Sequence, residues 1–513
     1  MKNMKNEGHR SIWMAAWLAL AAFIVALVAG GHSGPGLNDV SLDYLQVARN
    51  LVRGHGFSLF SPSGSLEGMT VHPPLYPFFL SVGNFLGMDF PTWGVRLNAL
   101  LWAGNVFLMT MAAFYLTGRR RSALLTGLLA LLSVCMAEAH VSILAQPLFL
   151  VFTLASLWML TVYCSTKTTW HLLAAALLAA FAALTSYAGV LLILSALVVL
   201  ALRREKFYYG LLYFLVSSLL PLFWLVRCCL IDGGIAGRQI AVYRFSLDKL
   251  ANIPDALSVY LLPAFVPWPL RWLVLGVFLA FLAYMFLRPR AIELIRVENP
   301  RFFAAGQVFG VFSFLYLMGL LAAGFFWDEK FLVTWKEVLP VCVLLMIVAP
   351  LLLDHQQLKS SGKRLRGFSA LFVVVLLATG FLRTASLVKD MLRGQYRKSV
   401  VANAKTGIAE TVRSLADNVP VYTNDISRFY YFAGRPAIKI PSAGENISYL
   451  LPMERVREDF LVRRAVAVIF GTRGGEHSEW IALCDVLPLS VLFGDVSGEV
   501  LGYRSKPVVS AAP

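Results

Sequence analysis

Eleven apolar runs divide the 513-residue chain, at about 11–30, 94–116, 122–136, 141–163, 169–184, 186–202, 207–230, 270–287, 304–326, 336–353 and 367–384. A helix needs roughly 20 apolar residues to traverse about 30 Å of hydrocarbon, so this set of runs implies a polytopic α-helical membrane protein. With 58% hydrophobic and 14% charged residues, the composition excludes an ordinary soluble enzyme. The run at 122–136 is short and the junction near Ser186 is ambiguous, so ten to thirteen crossings are compatible with the pattern.

Basic residues supply an orientation, because Lys and Arg in short loops are retained in the cytoplasm. If Lys2, Lys5 and Arg10 are inside, eleven crossings also leave RRR at 119–121, RREK at 203–206, RPRAIELIR at 288–296 and KSSGKRLR at 359–366 inside. The loops 31–93 and 231–269 and the C-terminal segment then lie outside. The expected location is the plasma (inner) membrane, with a cytoplasmic N-terminus and an external or periplasmic C-terminal domain. The net charge of +16 follows from that topology, and without a stacking motif nucleic acid is not an expected partner. The run at 11–30 reads as a retained helix, being long for a signal peptide and lacking a small-residue cleavage site. Cys135, Cys164, Cys228, Cys229, Cys342 and Cys484 form neither a disulfide framework nor a zinc spacing.

The character changes at about residue 399, which divides a transmembrane domain (1–398) from a small C-terminal α/β domain (399–513). VPVYTNDISRFYYFAGRPAIKIP reads as a strand, a helix that Asp425 caps and Gly434 ends, and a second strand. AVAVIF at 465–470 is a strand, SEWIALCDVL is helix-like, and SVLFGD with EVLGYR reads as a hairpin. GTRGGE at 471–476 is a turn without the spacing of a dinucleotide fingerprint. There is no internal repeat, and paired broken helices in corresponding halves, the usual pointer to a transporter, are lacking.

The first loop opens with NDVSLDYLQVARNLVRGHGF at 38–57. Leu42, Leu45, Ala48 and Val52 share one helical face, and Asp43, Gln46, Asn50 and Arg53 another, which predicts an amphipathic helix lying in the outer interface. Asp39, just before it, can act as a general base toward a hydroxyl or amine arriving from outside. Asn38 or Asp39 can equally be no more than the helix cap.

The first loop, with HPPLYPFFLSVGNFLG at 72–87 after it, resembles that of the GT-C superfamily of membrane glycosyltransferases. The similarity is closest to the branch of protein O-mannosyltransferases and lipid A aminoarabinose transferases. AQPLFLVF at 145–152, LTSYAGVLL at 184–192, WLVRCCLIDGGIAGR at 224–238, KEVLP at 336–340 and VYTNDISRFYYFAGRP at 421–436 follow in family order. The resemblance implies transfer of a sugar from a polyprenyl-phosphate carrier to a lipid, glycan or protein acceptor. It makes Asp39 the base, nine residues before Ala48, with Asp43 as the runner-up. It sets His72 where relatives carry a lysine near the donor phosphate, Lys336 where they have an arginine, and Arg227 and Arg238 as phosphate partners. Guanidinium groups suit that role because they pair bidentately with phosphate oxygens.

Each residue has a plainer reading: Arg227 snorkels from a helix end, His72 shapes a turn before two prolines, and Lys336 anchors an interface. The chain also departs from the pattern. Where relatives read Ser-Glu-Pro it has Ala145-Gln146-Pro147, and where they read Arg-Tyr it has Ser186-Tyr187. Gln146 forms hydrogen bonds but is neither a base nor a good metal ligand. Glu138, two turns earlier, is the acid that compensates or simply a solubilising turn residue. No metal ligand and no cofactor are assigned, and a divalent metal stays open. The alternatives are a catalytically silent relative that binds polyprenyl-phosphate lipid or assists an envelope-glycan assembly complex, and, more remotely, a lipid flippase or transporter.

Overall fold

In the computed structural model the described residues are 2–232, 247–286, 299–326, 333–354, 363–394, 407–416, 418–440, 453–470, 487, 489–495 and 498–503. The segments GTRGGE and SEWIALCDVL, Cys484 and Arg238 lie outside them. In chain order the helices and strands begin α1 (Lys2–Ser33), α2 (Asp39–Val52), β1 (Ser58–Phe60), β2 (Leu66–Gly68), α3 (Leu75–Phe85), α4 (Phe90–Thr117), α5 (Arg120–Leu132) and α6 (Val134–Val141). They continue with α7 (Gln146–Thr166), α8 (Thr169–Thr185), α9 (Gly189–Leu202), α10 (Phe207–Asp232), α11 (Leu247–Ser258), α12 (Trp268–Phe286), α13 (Pro300–Phe326), α14 (Trp335–Asp354) and α15 (Lys363–Leu392). The C-terminal segment holds α16 (Gly407–Ser414), β3 (Val421–Thr423), α17 (Ile426–Ala433), β4 (Ile438–Lys439), α18 (Met453–Leu461), β5 (Val466–Phe470), β6 (Leu489–Asp495) and β7 (Gly498–Tyr503).

Two compact units emerge, and neither is continuous in sequence. The first comprises residues 1–32, 70–79 and 92–392; the second comprises 33–69, 80–91 and 393–513. The helical unit has a helix at every apolar run of the sequence. By length and apolarity alone five of the described helices can cross a membrane, or six if α5 and α6, bent by 54°, count as one crossing. Its core is built around Trp102, Phe149, Tyr163, Tyr213 and Phe312. Trp17, Phe223 and Leu273 are apolar yet exposed, the pattern of helices with no polar face to turn outward.

One break departs from the even runs read in the sequence, and a second falls at the junction near Ser186 that the sequence left ambiguous. The run at 141–163 does not form one helix: α6 ends at Val141 and α7 starts at Gln146. Residues freed from the helical ladder need other partners. The amides of Asn98 and Asn105 on α4 supply them, donating to the carbonyls of Ser142 and, at 3.1 Å, Pro147. His140 is buried beside them, 3.0 Å from Asn105 and stacked on Trp102. At the second break, Ser186 is extended and the chain doubles back so tightly that a Cβ on Gly189 would lie 2.4 Å from the Ala183 nitrogen. Only glycine fits there, which is why LTSYAGVLL separates two helices.

In the second unit the C-terminal segment forms a five-stranded sheet in the order β4-β3-β5-β7-β6. β3 pairs in parallel with β4 and β5, while β7 runs antiparallel to β5 and β6. β5 is buried on both faces. Val466, Val468 and Phe470 meet Phe429 and Ile408 on one side, and Ala467 and Ile469 meet Phe460 and Val456 on the other. That is the period-two alternation of a strand covered by helices on both faces. Asp425 caps α17 by accepting from the Arg428 amide at 2.8 Å, and Gly434 ends it in the left-handed conformation, as the sequence predicts. The first loop adds α2 and the β1–β2 hairpin, and the hairpin turn reaches β4, whose Lys439 amide donates to the Pro62 carbonyl at 2.8 Å.

Candidate functional site

The candidate residues fall in both units. In the second unit, Asn38 is the cap of α2. Its carboxamide oxygen accepts from the Ser41 amide at 2.9 Å, and the Ser41 hydroxyl closes a capping box. Asp39 is the first helical residue and is exposed, so its carboxylate is not the cap. Asp43, one turn on, accepts a 2.7 Å hydrogen bond from the Ser427 hydroxyl of α17.

The polar face of α2 is largely covered. Gln46 and Asn50 are buried, with Asn50 donating to the Ser58 carbonyl at 2.9 Å and accepting from the Tyr430 hydroxyl at 3.1 Å. Arg49 and Arg53 lie 5.2 and 6.0 Å from the Tyr430 ring. Arg49 also donates to the Tyr430 carbonyl at 3.2 Å, and Arg53 to its hydroxyl at 3.0 Å. The second face of α2 thus meets protein at Asp43, Gln46 and Asn50, while Arg53 at its end stays exposed.

Asp425 is a functional candidate that sequence reasoning saw only as a cap. Burial pushes its carboxyl above the ordinary aspartate value, against the Arg428 amide and guanidinium, which favour ionisation; the charges of Asp39 and Asp43 raise it further. Three carboxylates therefore share one field on α2 and α17. Among the described residues no group of three or more His, Cys, Asp or Glu side chains is arranged to hold a metal ion.

In the helical unit, Tyr187 is the hub. Its hydroxyl donates to the Thr70 carbonyl at 2.6 Å and accepts from the Trp224 indole at 3.2 Å. The Arg227 guanidinium lies 4.5 Å over the Trp224 ring, and the Thr70 hydroxyl bonds to the Asp232 carboxylate. This arrangement gathers the α8–α9 turn, the end of α10 and the irregular segment from Thr70 to His72, which is half-buried. Thr70 escaped the sequence reading, and Trp224 and Asp232 stood inside the quoted WLVRCCLIDGGIAGR without a role, because a threonine, a tryptophan and an aspartate near apolar runs carry no spacing signal.

The other candidates are distributed. Gln146 opens α7 and is half-buried. Glu138 on α6 is within electrostatic range of Arg383. The Lys336 ammonium lies 5.9 Å from the Trp335 ring, and the Trp335 carbonyl accepts from Tyr260 at 2.9 Å. Tyr260, Cys135, Leu257, Cys342, Met346 and Arg383 line an apolar cavity with one guanidinium in its wall.

In one family profile and in its fold the chain resembles the GT-C membrane glycosyltransferases of the protein O-mannosyltransferase and aminoarabinose transferase branch. The profile of the dolichyl-phosphate-mannose-protein mannosyltransferase family matches residues 64–231. ArnT from Cupriavidus metallidurans bound to undecaprenyl phosphate has a similar structure, with a TM-score of 0.62 at 16% identity over 94% of this chain and 97% of that one. Its apo state gives 0.60 at 17% identity over the same shares. The apo Archaeoglobus fulgidus oligosaccharyltransferase gives 0.52 at 10% identity, over 88% of this chain and 69% of that one. No curated protein matches the chain by sequence.

Proposed function

We propose that the protein is a glycosyltransferase that moves a sugar from a polyprenyl-phosphate donor to an acceptor on the outer face of the membrane. The observation that supports this most is likeness over almost the whole chain to a transferase whose structure holds undecaprenyl phosphate. In this reading Asp39 takes the proton of the acceptor hydroxyl or amine as its oxygen or nitrogen attacks the anomeric carbon. The bond from that carbon to the phosphate oxygen breaks, and polyprenyl phosphate leaves with the electron pair. Arg227, Arg238, His72 and Lys336 receive the leaving charge; Arg227 is held for this by Trp224, itself fixed by Tyr187. The apolar cavity with Arg383 suits the chain of such a lipid. Topologically, the proposal is eleven crossings over residues 1–398, a cytoplasmic N-terminus and an external domain over 399–513, in the plasma (inner) membrane.

The experiment is donor turnover by purified full-length protein across a panel of polyprenyl-phosphate sugars and of lipid, glycan and peptide acceptors, parent against Asp39→Asn. Turnover is expected to fall by about 10²–10⁴, the usual contribution of a general base. Stability should hold, because Asn38 and not Asp39 caps the helix. Asp43→Asn should cost less. A variant that matches the parent would remove Asp39 from the chemistry. Gln146 in the place of a carboxylate favours a second reading, a silent lipid-binding relative, which a parent inert to every donor but able to bind polyprenyl phosphate would support.

A further inference from the structure

Helix α2 is short, and it buries polar atoms on the face turned away from its apolar side. Burying such groups without partners costs free energy, so what satisfies them defines where the helix can sit. The Asp43 carboxylate and the Asn50 carboxamide oxygen find theirs on α17, about 380 residues further along the chain, while the Asn50 amide donates to the Ser58 carbonyl of β1. Ser427 donates to Asp43, and the Tyr430 hydroxyl donates to Asn50. Arg49 and Arg53 grip the same tyrosine at its carbonyl, its hydroxyl and its ring. Phe60 of β1 packs on that ring, with centroids 5.1 Å apart.

We infer that Ser427 and Tyr430 of α17 are positioning residues that set the rotation and axial place of the helix carrying Asp39. Residues four apart lie on one helical face, so the bond from Ser427 to Asp43 fixes the turn directly below Asp39. The Tyr430–Asn50 bond fixes the helix two turns further on, and two points of attachment determine rotation as well as place. The same geometry explains the different fates of the two first-loop aspartates: Asp43 is held as a strut, and Asp39 is presented in the open. This inference rests on the reading of Asp39 as the base.

The test uses full-length protein in lipid nanodiscs with polyprenyl-phosphate mannose as the probe donor and a panel of lipid, glycan and peptide acceptors to receive the sugar. It reads released polyprenyl phosphate and, separately, hydrogen–deuterium exchange over residues 42–52. Ser427→Ala with Tyr430→Phe should lower kcat by roughly 10–100-fold, the scale on which a misplaced catalytic group is felt, with donor KM unchanged. Exchange over α2 should quicken. Replacing Ser427→Ala by Ser427→Thr, which keeps the hydroxyl, should recover part of both. Unchanged kcat, or a loss shared equally by kcat and KM, overturns the inference. So does α2 exchange equal to the parent's. If the parent leaves this donor intact, the functional reading fails for that donor, and the exchange arm with its threonine rescue still decides whether α17 fixes α2.

Discussion

Arg227 sits 4.5 Å over the Trp224 ring, and that contact decides what its removal means. A guanidinium resting on an aromatic face is oriented before a phosphate arrives, so Arg227→Ala should weaken donor binding by about 1.5–3 kcal/mol, the worth of a charged hydrogen bond. Arg227→Lys should recover little of it, because an ammonium cannot make the planar, two-toothed contact. Isothermal titration with polyprenyl phosphate checks both; an affinity equal to the parent's would return Arg227 to the membrane interface. Asp425 allows a pH test. Its carboxyl holds a proton more tightly in the folded protein than in the unfolded chain, so stability falls as pH rises from the ordinary aspartate value of about 4 through the raised one. Asparagine caps a helix about as well as aspartate. Asp425→Asn should therefore melt higher than the parent at neutral pH and lose that advantage as the pH drops below about 4. Equal melting temperatures at neutral pH would mean that the Arg428 pairing offsets the burial.

The α2 cap is the clearest case at the scale of elements. Asn38→Ala removes both halves of a capping box and should cost about 1 kcal/mol, seen as a lower melting temperature and faster exchange at residues 39–42. No change in either would show that the packing of α2, not its cap, holds its first turn. Elements whose causes are local were legible in the sequence: apolar runs long enough for helices, Asp425 and Gly434 at the ends of α17, alternating residues in β5. Elements whose causes are distant were not. The break after Val141 depends on Asn98 and Asn105 from another helix, and nothing in HVSILAQPLF announces those donors. Asn50 looks like a surface residue until Tyr430 arrives from the far end of the chain. Motifs singled out Asp39, Tyr187 and Arg227 as candidates, whereas Thr70, Trp224 and Ser427, which bond or pack against the candidate residues, are ordinary residue types that no motif marks.

For the molecule as a whole, charge asymmetry makes a specific demand on topology. In a background without native cysteines, Arg457→Cys, an exposed position on α18, should react with a membrane-impermeant maleimide in intact cells. A cysteine at Arg204, in the RREK loop, should react only after permeabilisation. The opposite pattern would overturn the orientation. Another consequence lies in the order of synthesis. The first loop leaves the ribosome early, while α17 is made only after every membrane helix has been translated. Until then Asp43 and Asn50 lack the hydroxyls that satisfy them. A chain clipped near residue 400 should therefore display a first loop in which Asp43 and Asn50 are without the α17 hydroxyls, whatever becomes of its helices.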